Sequence, residues 1–261
     1  MNNIANISLV GTGNVALHLG HALTAAGLGI LEVSARKEAS GVELVKALGS
    51  DSSIKKDLDF RESNTDLVVL CVSDDAIAEV TKKLKVLPTT TVIHTSGAVE
   101  IDVLKSHSSF GVLYPLQTFS RHRNVDFSEV PVMIEASDYT TRSRLLAMAH
   151  ELSHHVRYIS SEDRKRIHLA AVFANNFTNH LLRVAFDQLA VLDIDKALVR
   201  PLVMETLLKA FEDGPEASQT GPARRGDKNT IQTHIESLSD HPDAQALYQL
   251  ITDQIKRHFS K

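Results

Sequence analysis

Residues 7 to 23, ISLVGTGNVALHLGHAL, set two glycines directly after an apolar run and a small residue three positions beyond the second. Gly11-Thr12-Gly13-Asn14-Val15-Ala16 is thus a GxGxxA sequence between a predicted strand and a predicted helix. The first glycine allows a tight turn, and the second lets the backbone approach a pyrophosphate. The small Ala16 lets helix and strand pack closely, while free N–H groups at the helix start face the phosphates. A bare match to this pattern is weak, but strand, motif and helix in the required order strengthen it. The six residues therefore read as a dinucleotide site. The competing reading is a glycine turn in an α/β fold that has lost its nucleotide.

The choice of dinucleotide is made at the end of the second strand, about 20 residues beyond the motif. An acidic residue there would bind the ribose hydroxyls of NAD. This chain has VSARK, with Ser34, Arg36 and Lys37. A hydroxyl and a guanidinium suit a 2′-phosphate, which arginine can hold through two charge-assisted bonds. Glu32 competes, but it lies two residues earlier, within the strand. The expected cofactor is NADP(H) rather than NAD(H).

The elements that must position these groups follow a regular rhythm. NIANISLVG, GILEVSA, DLVVLCVSD and TTVIHTSG read as strands, separated by helical patterns at NVALHLGHALTAAG, SGVELVKALG and DDAIAEVTKKL. Gly27 closes the first helix; Ser40 opens the second and Gly49 ends it. DLVVLCVSD is apolar throughout, as in a strand covered on both faces. Val72 and Ser73, at its end, join the cofactor site. AVEIDVLKS reads as a short helix. FGVLYPLQTF, VPVMIEA and HVRYIS add strands around a helix at DYTTRSRLLAMAHELS. This alternation predicts a doubly wound parallel sheet with right-handed crossovers.

Beyond Ser160 no strand pattern remains. Residues 162 to 192 contain neither proline nor glycine and predict a helix of about 45 Å at 1.5 Å per residue. That length suits the spine of a second, all-helical domain. The expected division is a nucleotide-binding domain over 1–159 and a helical domain over 160–261.

Bulk composition excludes several functions. The chain of 261 residues is 43% apolar and 23% charged, with a net charge of −4, so no strongly basic face invites nucleic acid. No apolar run approaches the ~18 residues needed to span a bilayer. One cysteine, Cys71, rules out an intrachain disulfide framework and reads as inert core in a reducing, cytoplasmic compartment without an export signal. Thirteen histidines hint at metal, but no HExxH or Cys/His ligand spacing supports a metal site. His150, His154 and His155 are better read as partners of a helix C-terminus.

With GxGxxA, VVLCVSDDAI, HTSG and the long helix assembled, the chain resembles the 6-phosphogluconate dehydrogenase-like superfamily, which includes β-hydroxyacid dehydrogenases and pyrroline-5-carboxylate reductase. More closely, it resembles Rossmann-like NADP oxidoreductase candidates with a C-terminal helical domain of the domain-of-unknown-function 2520 type. LYPLQTF at 113–119, HLAAVFANNF at 168–177 and TGPARRGD at 220–227 carry that resemblance. It implies an α/β Rossmann-type domain followed by an all-α domain, NADP binding, and a homodimer built on the C-terminal helices.

The resemblance also suggests where substrate would sit. Ser96 and Gly97, in HTSG, stand where β-hydroxyacid dehydrogenases carry a substrate-binding serine–glycine pair; the competing role for Ser96 is to cap the next helix. Those enzymes carry a lysine on the long helix with an asparagine one turn later, and this chain does not. His168 is the nearest substitute as proton donor, because imidazole titrates near neutrality. Asn176, eight residues on, would orient the substrate or the imidazole, and Asn175 lies nearer to eclipsing His168. Tyr114 and Gln117, on either side of Pro115, are candidate pocket residues in a loop or bent strand. Arg225, in the turn-rich TGPARRGD, could hold a substrate carboxylate or phosphate in a dimer.

The expected activity is NADP(H)-dependent hydride transfer to or from a small polar, anionic carbonyl or imine compound. The alternative is a non-catalytic NADP-binding sensor or partner-binding protein.

Overall fold

The apolar runs read as strands pair into one sheet. In the computed structural model, which describes residues 4–259, its strands are β1 Asn6–Val10, β2 Gly29–Ser34, β3 Ser53–Lys55, β4 Leu67–Leu70, β5 Thr91–His94, β6 Ser109–Pro115, β7 Val132–Ala136 and β8 Val156–Tyr158. The spatial order is β3-β2-β1-β4-β5-β6-β7-β8. The chain divides into two compact units, Met1–Asn176 and Phe177–Lys261, and the sheet belongs to the first.

Four helices cover this sheet: α1 Asn14–Ala25, α2 Glu38–Leu48, α3 Asp74–Lys83 and α4 Tyr139–Leu152. All four residues of β4 are buried. Leu67 and Val69 pack with Leu19, Leu44 and Leu145, whereas Val68 and Leu70 pack with Ile77 and Leu104. Successive side chains thus enter opposite apolar layers, which explains the unbroken apolar run.

Several details depart from the pattern-based expectation. β3 is a three-residue edge strand with no strong sequence signal. Helix α2 starts at Glu38, two residues before Ser40, and its first residue follows Lys37 without a side-chain cap. Gly49 does end it, in the left-handed conformation at φ 60°. AVEIDVLKS yields only a 3-10 turn at Ile101–Leu104. The sheet is not wholly parallel, because β7 runs antiparallel to β6, with β8 parallel to β7. No crossover helix lies between Pro115 and Val132, only a 3-10 turn at Phe127–Glu129. The chain therefore reverses at the carboxyl end of β6 and keeps residues 116–131 at the edge where the glycine loop lies.

Helix α5, Ser161–Ala171, is capped by the Ser160 side chain, which accepts from the Asp163 N–H at 3.1 Å. It belongs to the first compact unit, which runs to Asn176. Arg164 supplies the physical reason. Its side chain is fully buried; Nη1 donates to the carbonyls of Ser96 at 2.9 Å and Val99 at 2.7 Å, and Nη2 donates to Glu135 at 2.9 Å. Ser161 adds bonds from its N–H and hydroxyl to the same carboxylate. α5 is thereby fastened to β7 and to the turn after β5.

After α5 the helix widens into a π turn at Val172–Phe177 and then continues as α6, Thr178–Ala190. The second unit adds α7 Arg200–Glu212, α8 Pro215–Ser218, α9 Pro222–Arg225, α10 Lys228–Ser237 and α11 Pro242–Phe259. It contains no strand among the described residues. Neither α6 nor α7 buries any residue, and Leu202 and Phe211 are 68% and 91% exposed. No helix among the described residues is long and apolar enough to cross a membrane.

Removing one partner of a buried ion pair strands the other charge, at about 3–5 kcal/mol. Arg164→Met should lower stability by about that amount in urea unfolding. The Arg164→Met/Glu135→Leu double variant should recover a large part of the loss.

Candidate functional site

The glycine loop leaves β1 and enters α1 under two different constraints. Gly11 has φ +109°, and its N–H donates to the Ser34 carbonyl at 2.9 Å. A Cβ there would lie 2.4 Å from the Cys71 carbonyl oxygen, so the loop passes against the end of β4 with no room for a side chain. Gly13 has an ordinary φ of −77°, and a Cβ on it would meet nothing within 4 Å. Open space faces Gly13, as a cradle for a ligand backbone approach requires. Gly13 caps α1 without a side-chain acceptor, and the first turn holds no acidic residue. The N–H groups of that turn are left for an anion. Ala16 is fully buried, which suits its packing role.

A cleft of about 820 Å³ opens from this loop. Gly13, Asn14, Val15, Val72 and Ser73 line one part of it; Tyr114, Gln117, His168, Asn175 and Asn176 line another. All belong to the first unit. Within it, the Tyr114 hydroxyl stands 3.0 Å from His168 Nδ1, with the rings edge to face at 5.8 Å. Tyr114 lies on β6 rather than in a loop, and burial raises its phenol pKa, so it remains protonated. With Nδ1 against the phenol, Nε2 is the ring atom left for a bound molecule. The π turn at Val172–Phe177 carries Asn175 and Asn176, and both line the same cleft. Gln117 follows β6 in an exposed loop, and its amide oxygen accepts from the Thr118 N–H at 2.7 Å.

Four further expected residues are held by contacts within the chain. Ser34 is 5% exposed, and its hydroxyl donates to the Asp57 carbonyl at 2.9 Å, so it is committed to the fold rather than to a phosphate. Arg36 and Lys37 remain exposed at that strand end. Ser96 and Gly97 do not line the cleft. The Ser96 hydroxyl accepts from the N–H groups of Ala98 and Val99 at 3.1 and 3.0 Å, a local serine turn; the 3-10 turn that follows begins after Glu100 without a side-chain cap, so Ser96 does not cap a helix. Gly97 is the floor beneath the Tyr114–His168 pair: a Cβ there would lie 2.6 Å from His168 Nδ1 and 2.7 Å from Tyr114 Cζ. Arg225 belongs to the second unit, where it pairs with Asp227 at 2.8 Å.

Residues not singled out from sequence support the site. His94 ends β5 fully buried, and its Nδ1 accepts from the Ser96 N–H at 3.2 Å. Burial, with the nearby Arg164 guanidinium, brings its pKa down to about 4. Arg164 lies one turn before His168 on α5 and fixes that helix over Gly97. Residues 116–124 strap the glycine loop: Asn14 Nδ2 donates to the Phe119 carbonyl at 2.9 Å, and Arg121 Nη2 to the Thr12 carbonyl at 2.8 Å. The run LQTFSRHRN, polar and basic after an apolar strand, was the available signal for this contact. Cys71 lines the cleft, but burial pushes its thiol up to about 12, so it stays a neutral thiol. Among the described residues no group of three or more His, Cys, Asp or Glu could hold a metal ion.

Comparison with known proteins agrees with this geometry. A Rossmann-like domain model matches residues 2–119, and the domain of unknown function DUF2520 matches residues 130–255. The structure of a candidate NADP oxidoreductase, BF3122 from Bacteroides fragilis, is 37% identical. The alignment covers 97% of this chain and 98% of that one, with a TM-score of 0.90. Protein TM1727 from Thermotoga maritima is 22% identical over 98% and 100% of the two chains at a TM-score of 0.78. The 1-pyrroline-5-carboxylate reductase of Streptococcus pyogenes is 15% identical over 98% and 100%, at 0.63. These last two show a shared fold. The comparison with curated proteins gives no match.

Two outcomes follow from the packing. Unfolded, His94 titrates at 6.5; folded, it titrates at about 4. Between those values the unfolded chain binds the extra proton, so stability falls as pH drops through that window, by roughly 3 kcal/mol in all. Urea unfolding at pH 7 and pH 4.5 should show the loss, and His94→Gln should flatten it. Gly97→Ala must push His168 and Tyr114 apart, destabilising by about 1–3 kcal/mol and shifting the His168 imidazole resonances in NMR spectra.

Proposed function

Because this chain belongs to the family of Rossmann-like proteins that carry the DUF2520 domain, we propose that it is an NADP(H)-dependent oxidoreductase. Its substrate is a small polar, anionic carbonyl or imine compound. One cleft carries this reading: the open space at Gly13 and the Tyr114–His168 pair line the same cavity. The description of the 37% identical Bacteroides protein as an NADP oxidoreductase candidate supports the cofactor. When bound, NADP(H) supplies or accepts the hydride.

The chain's own residues then have separate tasks. The helix-start N–H groups of Asn14, Val15 and Ala16 face the pyrophosphate, with Thr12 shaping the loop between its glycines. Arg36, with Lys37, meets the 2′-phosphate, and Val72 and Ser73 wall the cleft at the end of β4. His168, as imidazolium, donates the Nε2 proton to the carbonyl oxygen or imine nitrogen. Its Nδ1–H is held by the uncharged Tyr114 oxygen throughout, so the ring is fixed before and after proton transfer. Asn175, Asn176 and Gln117 offer amide groups to orient a polar substrate. The exposed apolar residues of α6 and α7 support a homodimer through these helices, since a lone chain rarely leaves so much large apolar surface in water.

Calorimetric titration with NADPH, NADH, NADP+ and NAD+ tests the cofactor. NADPH should bind more tightly than NADH, and Arg36→Ala should weaken NADPH alone, by about 10- to 100-fold. In NADPH oxidation assays over a panel of carbonyl and imine acids, His168→Ala should lower kcat by about 10²–10⁴-fold with NADPH affinity unchanged. Binding without turnover of any panel member would favour the sensor reading, and absence of binding would remove both.

A further inference from the structure

We propose that Arg121 is a cofactor-contacting residue, the positive charge that meets the pyrophosphate of a dinucleotide at the glycine loop. This rests on the dinucleotide reading above and adds a residue to it. Residues 11 to 16 contain no cation, although a pyrophosphate brings two negative charges to them. The first turn of α3, which follows Ser73 of the cleft wall, carries Asp74 and Asp75. Backbone N–H groups alone would therefore hold a doubly charged anion with two carboxylates on the neighbouring helix turn.

Arg121 stands at the right place to offset it. Its Nη2 donates to the Thr12 carbonyl at 2.8 Å, on the residue between the two glycines, and its Nη1 meets Glu43 of α2 at 3.0 Å. The side chain is 31% exposed, so solvent and ligand can reach it. Each Nη nitrogen keeps a second N–H, the fork geometry that suits phosphate oxygens. The main chain before it is fixed rather than loose. Phe119 and Ser120 give their carbonyls to Asn14 and His18, and the Phe119 ring stacks on His18 at 4.8 Å. The antiparallel return from β6 to β7 holds this segment at the loop, and the open space over Gly13 begins one residue from the Thr12 carbonyl.

The rival role is a brace, in which Arg121 only ties Glu43 to Thr12. Calorimetry of the full chain and its Arg121→Gln, Glu43→Gln and Arg36→Ala variants, each with NADPH and NADH at two salt concentrations, separates the two. Contact with the pyrophosphate predicts that Arg121→Gln weakens both dinucleotides by the same factor, about tenfold or more, and reduces the salt dependence of Kd. Glu43→Gln, which frees the guanidinium, should then leave Kd unchanged or lower it. Unaltered affinity in Arg121→Gln overturns the proposal, as does an equal loss in Glu43→Gln, which is the signature of a brace. Failure of the unsubstituted chain to bind either dinucleotide is a different result and overturns the cofactor reading itself.

Discussion

A guanidinium removed entirely from water must be met by acceptors, and in this chain that requirement organises the site. All four Nη hydrogens of Arg164 have partners: Ser96 and Val99 through their carbonyls, Glu135 through its carboxylate and Ser161 through its hydroxyl. These partners come from the turn after β5, from β7 and from the start of α5. Three segments distant in sequence are drawn to one point by a single side chain. His168 follows one turn later on the same helix, so its position over Gly97 is inherited from that anchor. The arrangement is of a kind whose net contribution to stability is small beside the penalty for breaking it. Its use here is location.

A second constraint comes from topology. β1, β4, β5 and β6 are parallel, so their carboxyl ends share an edge, and ligands of open α/β sheets bind along that edge where strand order reverses. The order reverses between β1 and β4, where Gly11–Gly13 and Cys71–Ser73 face each other. The antiparallel turn into β7 adds residues 116–131 to the same edge instead of carrying them to the opposite one. A segment that a fully parallel sheet would use for a crossover becomes a strap on the glycine loop.

The sequence shows most clearly those features whose causes are local. GxGxxA is legible because each position answers to its own neighbours, and the burial of Ala16, the turn at Gly11 and the open space at Gly13 all follow that logic. The apolar run of β4 is legible for the same reason. Ser34 misleads because its type suits a phosphate, while the carbonyl that engages it, on Asp57, lies 23 residues away. Arg164 is silent in the sequence, since a lone arginine in a polar helical turn is ordinarily solvated, and apart from Ser161 its acceptors sit 29 to 68 residues distant. The direction of β7 depended on what the intervening loop failed to form. The π turn at Val172–Phe177 has no pattern of its own, and both asparagines within it line the cleft, so spacings of seven and eight from His168 are not exclusive.

The two glycines of the loop carry opposite obligations, and genetics would tell them apart. Gly11 is required by the protein's own backbone, with positive φ and a carbonyl 2.4 Å from where a side chain would start. An allele altered there would be lost through quality control of the misfolded chain, and antibody would find little protein. Gly13 is under no such demand from the fold, since its φ is ordinary and a side chain would meet nothing within 4 Å. An allele altered there would leave a normal quantity of sound protein, which any screen that scores abundance would pass as wild type.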